Sequence, residues 1–277
     1  MNYSQDHDDG LATKDTEATK EAKGRSPAAF GGERPLRVLC VLCGFVVFVS
    51  LTAAQEPVGR AVPRTADGRP DFSGIWQALN TASWNIQDHQ AAKDVPAGQG
   101  VVEGNEIPYL PWARARRDEN DRNRLTADPL TACAQPGVPR IMYMPSPFQI
   151  VQTPAYVAFL FEYAHTVRHI RLNGAHPEGP IEWALGDSRA RWDGDTLVVD
   201  VVHFNDQTWF DRAGNFHSEQ MHLVERFTLL GRDHIHYAVT VEDPKVFSRP
   251  WKMAMPLYRR IEGNLQILDY VCQSFES

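Results

Sequence analysis

The chain has 277 residues, a formal net charge of −7 at neutral pH, 43% hydrophobic residues and 4 cysteines. That length suits one domain with a sizeable core after a leader segment. The acidic balance argues against nucleic acid or an anionic membrane surface as a partner.

Residues 1–36 are polar and lack apolar periodicity, the composition of a disordered leader. Arg34 and Arg37 then precede an apolar run of about 14 residues, Val38 to Leu51, followed by Thr52-Ala53-Ala54. Residues 37–54 therefore read as a secretory signal cut after Ala54, since a comfortable membrane span needs about 20 residues. An uncleaved membrane anchor and a translation start downstream of Met1 are the other readings. Either way the chain is expected to be exported, periplasmic or extracellular, with the membrane touched only through this segment. Losing residues 1–54 leaves a net charge of roughly −6. Cys40 and Cys43 lie in or beside the apolar run. Cys133 and Cys272 form a disulfide candidate in an oxidising compartment, against the plainer reading of two buried thiols.

Residues 55–71 read as a linker and 72–277 as a single β-barrel domain. Phe72 to Gln77 makes a first strand, whose Gly74 permits a close backbone approach beside Trp76. From Thr81 to Arg140 prolines punctuate a weak pattern, and only Pro111 to Arg124 suits a helix, with its arginines on a solvated face offset by Asp118, Glu119 and Asp121. This is a long irregular wrap. Strands are then expected at Gln149–Thr153, Tyr156–Ala164, Thr166–Leu172, Ala190–Trp192, Thr196–Phe204, His222–Leu230, Ile235–Glu242, Trp251–Ile261 and Leu265–Cys272. Short breakers favour antiparallel neighbours. A meander of about eight to nine strands leaves two open edges unless it closes, so the expected fold is an all-β, lipocalin-like barrel.

Asp193-Gly194-Asp195 reads as a hairpin turn into the β-branched strand from Thr196. After Phe204 comes a polar loop with two aromatics, Asn205 to Asn215. Loops of about a dozen residues are uncommon unless functional, although a connector whose Asn and Asp cap turns fits the composition too.

Titratable groups crowd this loop and the run after it. His217 and His222 are five apart, about 140° off on a helix and on opposite faces of a strand, which is poor spacing for zinc. A metal-free acid/base site fits better, because a carboxylate fixes a histidine's tautomer and raises its basicity. His217, Glu219, His222 and Asp206 are the candidate catalytic residues. Asn205, Trp209, Phe210, Asp211, Arg226, His165 and His169 are candidate ligand contacts. The structural alternative makes His222 and Arg226 part of a buried polar network and His165 and His169 ordinary wall residues. No nucleophile elbow, phosphate loop or dinucleotide fingerprint is present, and no cofactor is expected.

The motifs PDFSGIW (70–76), CAQPGVPR (133–140), IVQTP (150–154), WDGDTLVVD (192–200), FND (204–206), HSE (217–219), ERF (225–227) and YVC (270–272) together resemble a widespread family of exported bacterial proteins of largely undefined function. The resemblance implies a site at the loop and the His-Ser-Glu run. Members usually continue a little beyond the last cysteine. Gly74-Ile75-Trp76 also resembles the first strand of lipocalin-like barrels, which implies a ligand cavity and an arginine, Arg259 or Arg260, packed on the Trp. The expected function is acid/base chemistry on a small, partly apolar molecule in the barrel cavity, of the lyase, isomerase, cyclase or hydrolase type. The alternatives are a non-catalytic carrier of a hydrophobic ligand and a structural protein with a filled barrel.

Overall fold

The computed structural model describes residues 61–273. The leader expected over 1–36 and the signal or anchor over 37–54 lie outside the described residues. Nine strands close into one barrel in sequence order. They are β1 Gly74–Ala78, β2 Phe148–Gln152, β3 Tyr156–Phe161, β4 Val167–Leu172 and β5 Asp187–Asp193, then β6 Thr196–Val202, β7 His222–Leu229, β8 His234–Glu242 and β9 Trp251–Arg259. The expected closure is present: β1 pairs with both β2 and β9. One expected feature differs. β4 and β5 run parallel, Ile170 beside Ser188, because residues 173–186 cross over instead of turning back.

Alternation decides what the barrel encloses. On β6, Leu197, Val199 and Val201 are buried while Asp200 is half-exposed; on β7, Leu223, Glu225, Phe227 and Leu229 point inward. The inward residues of all nine strands pack into one apolar cluster with the wrap. Two charges lie within it. Arg168 on β4 and Glu225 on β7, 2% and 0% exposed, form an ion pair, with Arg168 Nη1 donating to Glu225 Oε1 at 3.1 Å. The Tyr237 hydroxyl donates to the same carboxylate at 2.6 Å, and Arg168 also donates to Ser188 Oγ at 3.0 Å. Side chains occupy the space that a carrier would leave for its ligand.

The Gly-x-Trp packing is as expected, with Arg259 as the arginine. Its guanidinium carbon stands 4.2 Å from the Trp76 ring centroid, and Nη1 donates to the Ser73 carbonyl at 2.5 Å. Gly74 has φ 133°, a backbone conformation that other residues rarely adopt, and a Cβ there would also displace the Arg259 guanidinium, so glycine is favoured.

The wrap contributes helix α1, Pro111–Arg122, and the short α2, Arg124–Ala127. The expected arginine face is paired with acids along α1, for example Arg116 with Glu119 at 3.2 Å. The wrap also covers the first half of β9, which reaches past β1: Val102 bridges Met253, and Ala254 N–H donates to the Val101 carbonyl at 2.9 Å. Residues 61–71, expected as linker, include a turn bridged between Arg64 and Pro70 and tied to the hairpin turn through Arg64 and Asp195.

Cys133 and Cys272 form a disulfide with Cα atoms 5.7 Å apart. The strand expected at Leu265–Cys272 is absent. β1 and β9 already pair with each other, so no edge is left for it, and the segment instead lies against the β3–β4 turn through Tyr270 and Tyr163 and through Leu268 N–H and Glu162. Among the described residues no helix is long and apolar enough to cross a membrane.

Candidate functional site

β6 ends at Val202, two residues earlier than the expected Phe204. His203 adopts φ 62°, a left-handed conformation that takes the chain out of the sheet. Its carbonyl accepts from Trp183 N–H at 2.8 Å and its Nε2 faces the Pro177 carbonyl at 3.0 Å, so the 173–186 crossover holds the exit.

The polar loop then folds on itself. Trp209 bridges Phe216, and Phe210 N–H donates to the Asn215 carbonyl at 2.7 Å. Asp211 clamps the turn: its carboxylate accepts from Asn215 Nδ2 at 2.5 Å, from Asn215 N–H at 3.2 Å and from Ile86 N–H of the wrap at 2.9 Å. Burial pushes its pKa from 3.8 up to about 6, against the lowering effect of these donors and of Arg140. Tyr109 donates to Asn215 Oδ1 at 2.9 Å and Tyr143 to the Phe210 carbonyl at 2.8 Å. Gly214 (φ 83°) lies flat on α1, where a Cβ would strike Asn120 Cβ at 2.6 Å.

This clamp sets out the next four residues. His217 is 2% exposed between the edges of Phe204 and Phe210. Its Nδ1 is 3.0 Å from the Ser218 carbonyl and its Nε2 is 2.7 Å from Thr208 Oγ1. A carbonyl only accepts, so Nδ1 carries the proton and Nε2 receives the Thr208 hydroxyl. Burial lowers the imidazole pKa, opposed by the Ser218 carbonyl and the charges of Asp243 and Asp206. Ser218 donates to Asp243 through its N–H at 2.6 Å and its hydroxyl at 2.8 Å. Glu219 pairs with Lys245 Nζ at 2.7 Å; the lysine holds the carboxyl below its usual range, and the carboxylate raises the ammonium.

A cleft of about 430 Å³ opens over these residues. The loop supplies Asp206, Trp209, Phe216, His217, Ser218 and Glu219, α1 supplies Trp112, Arg116 and Asn120, and Lys245 follows β8. Three candidate catalytic residues, His217, Glu219 and Asp206, thus line one cavity with the candidate contact Trp209. The cavity lies outside the barrel wall, not within it.

The other candidates stand elsewhere. His222 is on the outer face of β7, with Nε2 2.9 Å from Asp200 Oδ2 and Nδ1 3.6 Å from Glu242. Asp200 also meets His176 at 2.9 Å, and His176 meets Asp187 at 2.6 Å. Burial raises Asp200, but hydrogen bonds from His222 and His176 outweigh it and hold the carboxyl low. Arg226 is exposed and donates to Asp193 at 2.8 Å. His165 pairs with Asp269 at 2.8 Å on the surface, and exposed His169 packs on Tyr156. Phe210 is buried at 1% exposure, and Asn205 caps its own turn by accepting from Gln207 N–H at 3.2 Å. Phe210 and Asp211 build the loop from beneath.

Thr208, Asp243, Lys245 and Trp112 escaped the sequence reading. The Asp243-Pro244 pair after a strand is a turn signal that points to one of them; the others carry no local mark. Among the described residues no group of three or more His, Cys, Asp or Glu converges to hold a metal ion.

Comparison with protein-family models, with curated proteins and with solved structures gave no match. The nine-strand closed barrel is loosely compatible with the lipocalin-like likeness.

Proposed function

We propose that the protein is an exported enzyme that moves protons on a small, partly apolar molecule held in the cleft over His217. The observation that carries this reading is His217 itself, a buried histidine kept neutral and in one tautomer in a cleft that also presents Asp206 and the Glu219–Lys245 pair. A base of this kind contributes typically 10²–10⁴-fold to a proton transfer. Trp112, Trp209 and Phe216 give the ligand an apolar wall, while Asp206, Glu219 and Lys245 give it polar partners. For Nε2 to take a substrate proton, the Thr208 hydroxyl must turn away or relay it. The reaction class is lyase, isomerase, cyclase or hydrolase. The Cys133–Cys272 bridge supports export, as does the likeness of the HSE and FND motifs to a family of exported bacterial proteins.

One observation favours a second reading, carriage without conversion: both His217 nitrogens are already satisfied by the protein. The filled barrel moves that carrier's ligand from the barrel interior to the same cleft. The test is to identify by native mass spectrometry what the protein retains and to incubate it with fresh protein in D₂O. Conversion or deuteration that falls about 10²-fold or more in His217→Gln and Asp206→Asn supports the enzyme. A ligand retained unchanged, with no solvent exchange, assigns the cleft to carriage.

A further inference from the structure

A second cavity, of about 500 Å³, lies beside the disulfide and shares no lining residue with the cleft over His217. Trp84 and Leu130 of the wrap, Tyr163 of the β3–β4 connection and Tyr270 of the C-terminal segment line it, together with Cys272. The volume falls within the range of small-molecule sites, roughly 300–1,000 Å³. The walls are mixed, with aromatic and aliphatic side chains beside the polar Ser83, Asp128 and Thr131.

Two arginines reach this cavity. Arg140, 1% exposed, forks onto Asp128 with Nη1 at 2.8 Å and Nη2 at 2.7 Å, and its buried Nε–H has no hydrogen-bond partner among the described residues. Arg212 lies with its guanidinium 4.6 Å from the Trp84 ring and makes no ion pair among the described residues. Asp128 offsets Arg140, so the guanidinium of Arg212 is the uncompensated charge. On its other side Arg212 faces Arg117, Arg124 and Asp121, and that single carboxylate is already shared by the two arginines at 3.7 and 3.6 Å. Arg117 pairs as well with Asp118 at 3.3 Å, which leaves Arg212 as the guanidinium there without an ion pair among the described residues.

The geometry points to a binding site for a small carboxylate with an aromatic or aliphatic body. Its carboxylate pairs with Arg212. Its body lies against Tyr163, Tyr270 and Leu130. This assignment is independent of the chemistry at His217.

The test uses the full-length oxidised protein and two probes, 3-phenylpropanoate and octanoate, with the corresponding amides as controls, followed by calorimetry and Trp fluorescence. At least one acid is expected to bind saturably and about tenfold or more tighter than its amide, because the amide cannot form the charge-assisted pair. Arg212→Met keeps a long stem over Trp84 and is expected to weaken the acid by about tenfold or more. Asp206→Asn, which alters only the cleft, leaves this binding unchanged. The site assignment is overturned if neither acid binds, if acid and amide bind equally, if Arg212→Met binds as the parent does, or if Asp206→Asn abolishes binding. The comparison of acid with amide needs no variant and so stands even if Arg212→Met misfolds.

Discussion

Thr208 and His217 share a buried hydrogen bond of 2.7 Å, and its direction is set by a third group, the Ser218 carbonyl on the far ring nitrogen. The imidazole is therefore expected to be the Nδ1–H tautomer, which ¹⁵N NMR of labelled histidine reads directly. Thr208→Val keeps the shape and strands the ring acceptor, at a cost of about 1–3 kcal/mol in urea unfolding. Thr208→Ser should retain most of that stability; equal losses for the two would remove the hydroxyl from this role.

The same histidine gives stability a pH dependence. Burial sets its folded pKa below the ordinary 6.5, so between those values the unfolded chain binds the proton and the folded chain does not. Stability then falls as pH drops below 6.5. His217→Gln, which cannot titrate, should lose that slope when unfolding is followed from pH 7.5 to 5.

Asp211 works in the opposite sense. Its folded pKa of about 6 exceeds the ordinary 3.8, so protonation favours the folded state, and its contribution is lost as pH rises from about 4 to about 6. For so buried a group the change amounts to about 3 kcal/mol. The stability of the wild type relative to Asp211→Asn should decline across that window, and a flat difference would show that the three donors to Asp211 offset its burial.

Inside the barrel, Arg168 and Glu225 are each other's main compensation. Glu225→Gln leaves a buried guanidinium without its counter-charge and is expected to cost about 3–5 kcal/mol. Replacing Arg168 by Met and Glu225 by Leu together with Tyr237→Phe, which removes the hydroxyl that would lose its acceptor, should recover most of this, since apolar side chains carry no desolvation penalty. A combined variant as unstable as Glu225→Gln would mean the cluster is held by shape and not by charge.

The disulfide holds the C-terminal segment, which no strand pairing retains. Cys133→Ser with Cys272→Ser is expected to lower stability by about 2–4 kcal/mol. Limited proteolysis should then cut after Arg259 while leaving the barrel whole. Resistance equal to the wild type would show that Tyr163, Glu162 and their partners are sufficient to hold the segment.

The barrel and the approximate positions of its nine strands were legible in the chain, apart from the strand expected at Leu265–Cys272, because period-two alternation and short Gly-bearing turns are local properties that survive without knowledge of the rest of the chain. The sequence also brought His217, Glu219, Asp206 and Trp209 under suspicion together, since they lie within 14 residues of one another and a polar loop follows a firm strand. Tertiary structure decided the remainder. Alternation shows that a strand has two faces without showing which is inside, so only the closed barrel placed His222 and Arg226 outward and Glu225 inward. Thr208, Asp243, Lys245 and Trp112 reach the site from the loop interior, the end of β8 and the start of α1, and that convergence is a property of the folded chain alone. The left-handed turn at His203 and the parallel β4–β5 pair depend on the 173–186 crossover, whose Pro- and Gly-bearing residues mark a break without giving its direction.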